Sequence, residues 1–421
     1  MSEEITVLGA GIVGICTALS LIERGLKVTL IDRDAPGQAT SFGNAGVISP
    51  WSVIPQSMPG MWKKVPGMML DPVGPLAVSP TYLPRLAPWG MRFLAEGREA
   101  RVRAVSAAME FLNRDCIDLY RRHLKGTGHE GLIRDSYYVH AYRDASAARL
   151  DTLDTELRRR AGAEVERIDA ADLRALEPAL SPDFTAAVLI KGQARALSPG
   201  QLGAVLADKF QQLGGRLRQT SVQSLHRQDD GGWLCRTDQG DLKAAKIVLA
   251  MGVWSARLLS PLGVHIPLEA ERGYHVTFTK PGITLNHSVM DAEMKFVASS
   301  MTDGLRVAGT AEFAGLDAAL NKRRLDGLVR LACRLSPDLT AEPHATWSGQ
   351  RPSLPDSLPC IGEVEGLPGL VAAFGHSHYG LMMAPKTGEL VADIVTGRMA
   401  NTDLSPYKAT RFKRFWPVSN T

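Results

Sequence analysis

The chain has 421 residues, 45% of them hydrophobic and 22% charged, with a formal net charge of +4. That length supports two or three domains with real cores, and the ordinary composition excludes a disordered or fibrous protein. The small charge, with no basic stripe laced by aromatics, argues against a nucleic-acid partner. Cys16, Cys116, Cys235, Cys333 and Cys360 stand singly, outside any CxxC pair or Cys/His cluster. Neither a disulfide framework nor a metal site is expected, and a reducing, cytoplasmic setting fits. No apolar run reaches the roughly 18 residues that a membrane span needs, and no signal peptide precedes the first strand candidate.

That strand candidate, Ile5 to Leu8, runs into Gly9-Ala10-Gly11-Ile12-Val13-Gly14, which opens a helix reaching Arg24. A second strand, Lys27 to Ile31, delivers Asp32 and Arg33, with Asp32 eighteen positions after Gly14. Gly9 permits the tight turn, Gly11 lets a pyrophosphate approach the backbone, and Gly14 lets helix and strand pack closely. The helix N-terminus offers unpaired N–H groups to phosphate, and Asp32 accepts from the ribose hydroxyls. Strand, glycines, helix, strand and acid in register predict a dinucleotide site. Gly126-Thr127-Gly128-His129-Glu130-Gly131 matches the same pattern but follows a helical stretch, so it reads as a loop.

Pro50 to Gly90 is dense in proline, methionine and tryptophan, which predicts an irregular apolar excursion. It reads either as a loop covering a substrate cavity or as a surface for a membrane, a quinone or a partner protein. Helices are predicted over Trp89–Val105, Ser106–Lys125, Ala145–Ala161 and Ser198–Leu213, the third with arginines on a solvated face. Strands are predicted over Ser136–Ala141, where one of Tyr137 and Tyr138 faces a cavity, and over Gly215–Val222. Short strands follow at Trp233–Thr237 and Leu242–Ala245. Ile247–Ala250 reads as a parallel strand buried on both faces, ending at Gly252 and Trp254, where open α/β sheets bind ligands. Gly375–Leu381 is a glycine-flanked turn before a helix, Ala384–Val395. Lys408–Trp416 mixes cations with aromatics, which suits either a membrane surface or a docked C-terminal helix end.

Five segments carry a resemblance across nearly the whole chain: Gly9–Gly14 with Asp32; Thr40–Pro50; Ala250–Ser255; Ser348–Pro352 with Pro355-Asp356 and Ile361-Gly362; and Gly375-His376 with Tyr379-Gly380. The sequence resembles the FAD-dependent D-amino acid oxidase superfamily, and within it the bacterial D-amino acid dehydrogenases. The resemblance implies an α/β fold. A discontinuous Rossmann-type FAD-binding domain (1–50, 195–265, 345–421) is interleaved with an α+β substrate domain on a mixed or antiparallel sheet (51–194, 266–344). It implies adenosine on Asp32, Arg33 and Val222, and pyrophosphate on Gly9–Gly14 and Thr40/Ser41. The flavin ring falls near Asn44, Ala45, Gly46 and Val47, with Ala250, Gly252, Trp254 and Gly349 beside the cofactor. Gly375, His376, Tyr379, Gly380, Leu381 and Met382 complete that site, and a helix N-terminus aimed at the ring would stabilise reduced flavin. His376 and His378 would add to that effect or simply pack the turn.

Arg351 is implied at the substrate α-carboxylate, where a planar fork outperforms lysine. Tyr274 resembles the family position whose phenol helps hold the carboxylate or shape the lid, Tyr138 is a substrate-site candidate from its strand position, and no role is assigned to Lys295. Relatives with covalent flavin carry cysteine where this chain has Gly349, so noncovalent FAD is expected. The implied reaction is hydride transfer from a D-amino or D-imino acid to the flavin, with electrons leaving to a quinone or electron-transfer protein. An oxygen-using sarcosine- or glycine-type oxidase and a flavin subunit of a hetero-oligomer are the alternatives. Peripheral contact with the cytoplasmic face of a membrane is an expectation; oligomeric state is not encoded.

Overall fold

The computed structural model describes residues 4–71, 73–398 and 402–415. β1 (Glu4–Leu8) leads through a tight turn to α1 (Ile12–Ile22), and β2 (Lys27–Asp32) returns parallel to β1. A Cβ on Gly14 would lie 1.8 Å from the Gly9 carbonyl oxygen, and Gly9 has φ +102°. Only glycine permits both.

β1 and β2 lie within a six-stranded sheet. Beyond β2 sits β8 (Arg216–Gln219); beyond β1 come β12 (Lys246–Leu249), β19 (Leu370–Phe374) and β18 (Cys360–Glu363). All neighbours are parallel except β18 on β19. Three separate stretches of chain therefore build one sheet. One face packs on α1, α8 (Pro199–Gln212) and α11 (Gly380–Val395), burying Val7, Leu30 and Val248 with Leu19, Leu206 and Val391. The other buries Leu8, Ile31 and Leu249 with Trp233 of a small antiparallel sheet, built from β9 (Val222–Arg227), β10 (Trp233–Thr237) and β11 (Gly240–Ala244). Each fully buried aliphatic side chain contributes about 1.5–3 kcal/mol.

The larger sheet has ten strands. Its path runs β17 (His344–Ser353), β13 (Glu269–Phe278), β16 (Gly304–Phe313), β15 (Phe296–Met301), β14 (Ser288–Asp291), β5 (Ile133–Tyr142), β7 (Ala186–Ala196) and β3 (Val47–Ile48). β4 (Leu76–Val78) pairs with β16, and β6 (Val165–Asp169) with β7. β17, predicted within the nucleotide-binding unit, pairs with β13 over its whole length. Side-chain alternation puts Tyr274, Val276 and Phe278 against α10 (Lys322–Leu335). Glu271, Gly273 and His275 then share the front face with their partners Arg351, Gly349 and Trp347.

Several predicted elements differ. The proline-rich excursion is not irregular: it holds α2 (Met61–Leu70) and the start of α3 (Leu83–Glu96). Pro84 occupies the first turn of α3, where no N–H bond is lost, while Pro66 and Pro88 each sit inside a short helix. Chain 89–125 divides into α3, α4 (Glu99–Asn113) and α5 (Cys116–Leu124). The helix predicted over 145–161 shrinks to a single turn and α6 (Leu153–Arg160), because Asp144 and Thr152 cap two separate starts. The predicted strand 215–222 splits between β8 and β9, with Thr220 N–H donating to the Asp32 carbonyl at 2.8 Å. In the tail, Arg411 pairs with buried Asp356 at 2.7 Å and Phe412 packs on the core, so this part is docked. Trp416 lies outside the described residues.

Candidate active site

A cleft of about 790 Å³ is lined by residues of both sheets. At one end, Gly9, Gly11, Ile12 and Val13 line it with Asp32, Arg33 and Val222. α1 opens on Gly11 without a side-chain cap, which leaves first-turn N–H groups for an anion. Ser41 Oγ accepts from Ile12 N–H at 2.9 Å. Asp32 accepts from Ala10 N–H at 2.6 Å and from Asp34 N–H at 3.0 Å, one on each carboxylate oxygen. Each oxygen keeps a lone pair for a hydroxyl donor. Burial pushes the Asp32 carboxyl up, and those two N–H groups oppose it. Arg33 lies 4.5 Å from the centre of the Trp254 ring, and Trp254 and Gly252 continue this wall.

Thr40, Ser41, Asn44, Ala45, Val47 and Ala250 carry the wall inward, and Gly349, Gly375, His376, Tyr379, Gly380, Leu381 and Met382 close it. Ala10, Gly14 and Gly46 do not line it. Ala10 is buried, Gly14 packs on Gly9, and Gly46 faces the Ala196 carbonyl. α11 also starts without a side-chain cap, at Tyr379–Gly380. His376 Nε2 is 3.0 Å from Thr387 Oγ1. Burial holds His376 down to about 3, so its ring is neutral at pH 7. His378 lines the cleft but is exposed by area.

Opposite the start of α11, Arg351 Nη1 donates to Glu271 Oε1 at 2.7 Å and to the Thr310 carbonyl at 3.0 Å. The guanidinium lies flat on Gly273, where a Cβ would come within 2.3 Å of Nη2. Nε and Nη2 remain for a ligand. Glu271 also accepts from Ser353 Oγ at 2.6 Å and Gln56 Nε2 at 3.2 Å. Burial opposes ionisation of Glu271, yet the adjoining Arg351, His378 nearby and the Ser353 hydrogen bond hold its carboxyl below the usual range. The same Gln56 Nε2 lies 3.2 Å from His378 Nδ1, which makes Nδ1 the acceptor and Nε2 the protonated nitrogen.

Tyr274 touches the cleft, but its hydroxyl donates to Glu312 and accepts from Asn321 N–H at 3.3 Å on the α10 side. Its hydroxyl is thus engaged away from Arg351. Of the tyrosine pair, Tyr138 lines the cleft, while Tyr137 stacks on His287 with ring centres 4.6 Å apart. Arg158 of α6 also lines the cleft, its side chain 14% exposed, where a solvated face was predicted.

A family model described as FAD dependent oxidoreductase (DAO) matches residues 4–394. The chain belongs to that family. A D-amino-acid oxidase of Bradyrhizobium diazoefficiens is 38% identical, over 97% of this chain and 99% of the relative. A D-amino acid dehydrogenase of a Methylobacterium species is 32% identical, over 98% and 99%. Among solved structures, glycine oxidase from Geobacillus kaustophilus has a TM-score of 0.74 at 22% identity, covering 97% of this chain and 99% of that one. L-proline dehydrogenase from P. horikoshii has 0.73 at 21%, covering 98% of each. Both share the fold.

As a member of the FAD-dependent oxidoreductase family, the chain binds FAD, and the cleft fits that cofactor. It joins an acid for a ribose, an uncapped helix end for phosphate, and a wall of small residues ending at a second uncapped helix. Sequence reading missed Glu271, Gln56, Trp347 and Arg158. Trp347 lines the cleft and stacks on His275 with ring centres 5.0 Å apart. Glu271 alone had a signal: an acid in the strand that carries Tyr274.

Proposed function

We propose that this enzyme oxidises a D-amino acid or D-imino acid with noncovalent FAD and passes the electrons to a respiratory acceptor. The observation that carries the reading is Arg351, fixed by Glu271 and Thr310 with Nε and Nη2 unengaged in the cleft. That free edge matches a carboxylate bidentately. FAD, when bound, supplies the acceptor for the hydride of the substrate Cα–H.

The chain's own residues do the rest. Arg351 holds the carboxylate, and Glu271 stops the guanidinium from swinging. Holding the reacting atoms about 3–3.5 Å apart is worth roughly 7–11 kcal/mol. Desolvation inside the cleft favours the neutral amine over the ammonium. The α-amino nitrogen then binds with its lone pair free. Gly349 offers no side chain, and no cysteine lines the cleft among the described residues, in keeping with noncovalent FAD. The D configuration is supported by the relatives named D-amino-acid oxidase and D-amino acid dehydrogenase.

The acceptor has two readings. Exposed Trp62, Leu70 and Met91 on α2 and α3 favour contact with a membrane and its quinones. The relative at 38% identity is named an oxidase, which favours oxygen; stoichiometric hydrogen peroxide release would decide for oxygen. Among the described residues no helix is long and apolar enough to cross a membrane, so any such contact is peripheral.

Anaerobic bleaching of the bound flavin by paired D- and L-amino acids, prolines and N-methyl amino acids tests the reading. D-substrates bleach it. Arg351→Lys keeps the flavin and slows bleaching about 100-fold, the loss of one charge-assisted fork. Unchanged reduction by that variant would remove Arg351 from the site.

A further inference from the structure

The cleft extends past Arg351 along the sheet. His140, Met290, Val297 and Ala308 form one cross-strand row on its wall, with Tyr138 beside them. Two cations line the same cleft, Lys295 from the β14–β15 turn and Arg158 from α6.

The hairpin aims Lys295. Asp291 Oδ1 accepts from Glu293 N–H at 3.1 Å and Met294 N–H at 2.9 Å, and the Asp291 carbonyl accepts from Lys295 N–H at 2.9 Å. Lys295 itself has φ +58°, a left-handed conformation unfavourable for a non-glycine residue. The turn holds it there because Arg143 clamps Asp291 Oδ2 at 2.7 Å. Asp291 is thereby committed to Arg143, and Asp154 to Arg158 at 2.7 Å. No carboxylate pairs with the Lys295 ammonium among the described residues.

Lys295 is exposed by area, yet it lines the cleft. Burial, the charge of Lys64 and that of Arg158 all push its ammonium down, against Asp154 and Asp291. Burial together with Arg158 and Lys295 keeps His140 neutral. Arg351, Lys295 and Arg158 line one cleft, and Tyr138, Met290 and Val297 on its wall suit a short methylene chain.

We infer that Lys295 and Arg158 form a second anion subsite, making an acidic α-amino acid with a side-chain carboxylate the preferred substrate. Arg351 takes the α-carboxylate, the apolar wall takes the methylenes, and Lys295 with Arg158 takes the second carboxylate. The inference rests on the amino-acid reading above and adds the side-chain class.

Its test compares acids with their amides on the holoenzyme. The kcat/KM for D-glutamate and D-aspartate exceeds that for D-glutamine and D-asparagine at least tenfold. Lys295→Met lowers that acid-to-amide ratio about tenfold, and Lys295→Glu turns the preference toward D-lysine. Turnover is not the only readout. Glutarate perturbs the flavin absorbance at lower concentration than butyrate, and Lys295→Met removes the difference. Equal rates for acid and amide, or a ratio unmoved by Lys295→Met and Lys295→Glu, overturn the second subsite while the amino-acid reading survives through D-alanine or D-glutamine turnover. If no amino acid reduces the flavin, that reading fails and this one falls with it.

Discussion

A guanidinium lying across Gly273 has no room to retreat. Its Nη1 is fixed by Glu271 and Thr310, and its plane rests on the Gly273 Cα at the distance a Cβ would occupy. Gly273→Ala therefore displaces Arg351 from Glu271 and Thr310 while leaving its charge and the strand pairing intact. Hydrogen bonds to charged groups are worth about 1.5–3 kcal/mol, so kcat/KM falls roughly 10- to 100-fold. The fall comes mainly through KM, with the flavin spectrum and the melting temperature close to wild type. Steady-state kinetics with one D-substrate check it. A variant with wild-type KM would mean that Arg351 adjusts freely and that its fixed geometry is irrelevant. Loss of Glu271 should be harsher, because breaking a buried pair leaves an uncompensated charge and costs about 3–5 kcal/mol.

At the scale of elements, the substrate sheet depends on loops held by buried polar groups. Glu177, at the end of α7 (Ala170–Leu176), accepts from Asn286 N–H at 2.9 Å and His287 N–H at 2.6 Å, pinning the chain that enters β14. Burial pushes its carboxyl up to about 7, against those two N–H groups and Arg195. A raised carboxyl means the folded state binds the extra proton. Its contribution to stability is full below pH 4.5 and is lost as pH rises through about 7. Between pH 4.5 and 8 that loss is about 3 kcal/mol at roughly 1.4 per pH unit. Urea titrations across this range should show wild type losing stability relative to Glu177→Gln by about that amount; parallel pH curves would refute it. The same elements explain what could be read in advance. β1, α1, β2 and Asp32 are one local unit whose spacing is set by turn and ligand, so the sequence displays it. Arg351 stood out through its motif. Glu271 and Gln56 did not: Glu271 reaches Arg351 across paired strands 80 positions apart, and Gln56 reaches Glu271 and His378 from an excursion 215 and 322 positions away. Arg158 looked solvated because its helix was drawn too long; the caps at Asp144 and Thr152 shorten it and leave Arg158 lining the cleft.

For the molecule as a whole, the open question is where the electrons go, and the surface around α2 and α3 bears on it. Both helices flank β4, with Leu86 and Trp89 of α3 packed on Phe313 beneath. Their outer faces stay apolar: Trp62 is 63% exposed, Leu70 83% and Met91 67%. On α3, Leu83, Ala87, Met91 and Leu94 recur at helical spacing on that exposed side. Asp71 is the only carboxylate between 51 and 95, against Lys63, Lys64, Arg85 and Arg92. Exposed aromatics and aliphatics with a cationic surround fit the interface of an anionic bilayer. Burying each large side chain adds about 1.5–3 kcal/mol, so Trp62→Ser, Leu70→Ser and Met91→Ser together should weaken binding by at least a hundredfold. Co-sedimentation with phosphatidylglycerol vesicles measures it. Wild type should bind, release partly at high salt because the cationic contribution is screened, and bind neutral phosphatidylcholine less well. The triple variant should remain in the supernatant while reducing an artificial dye at the wild-type rate, since none of the three residues lines the cleft. Wild type that ignores anionic vesicles, or a triple variant that binds them equally, would return the electrons to oxygen or to a soluble protein.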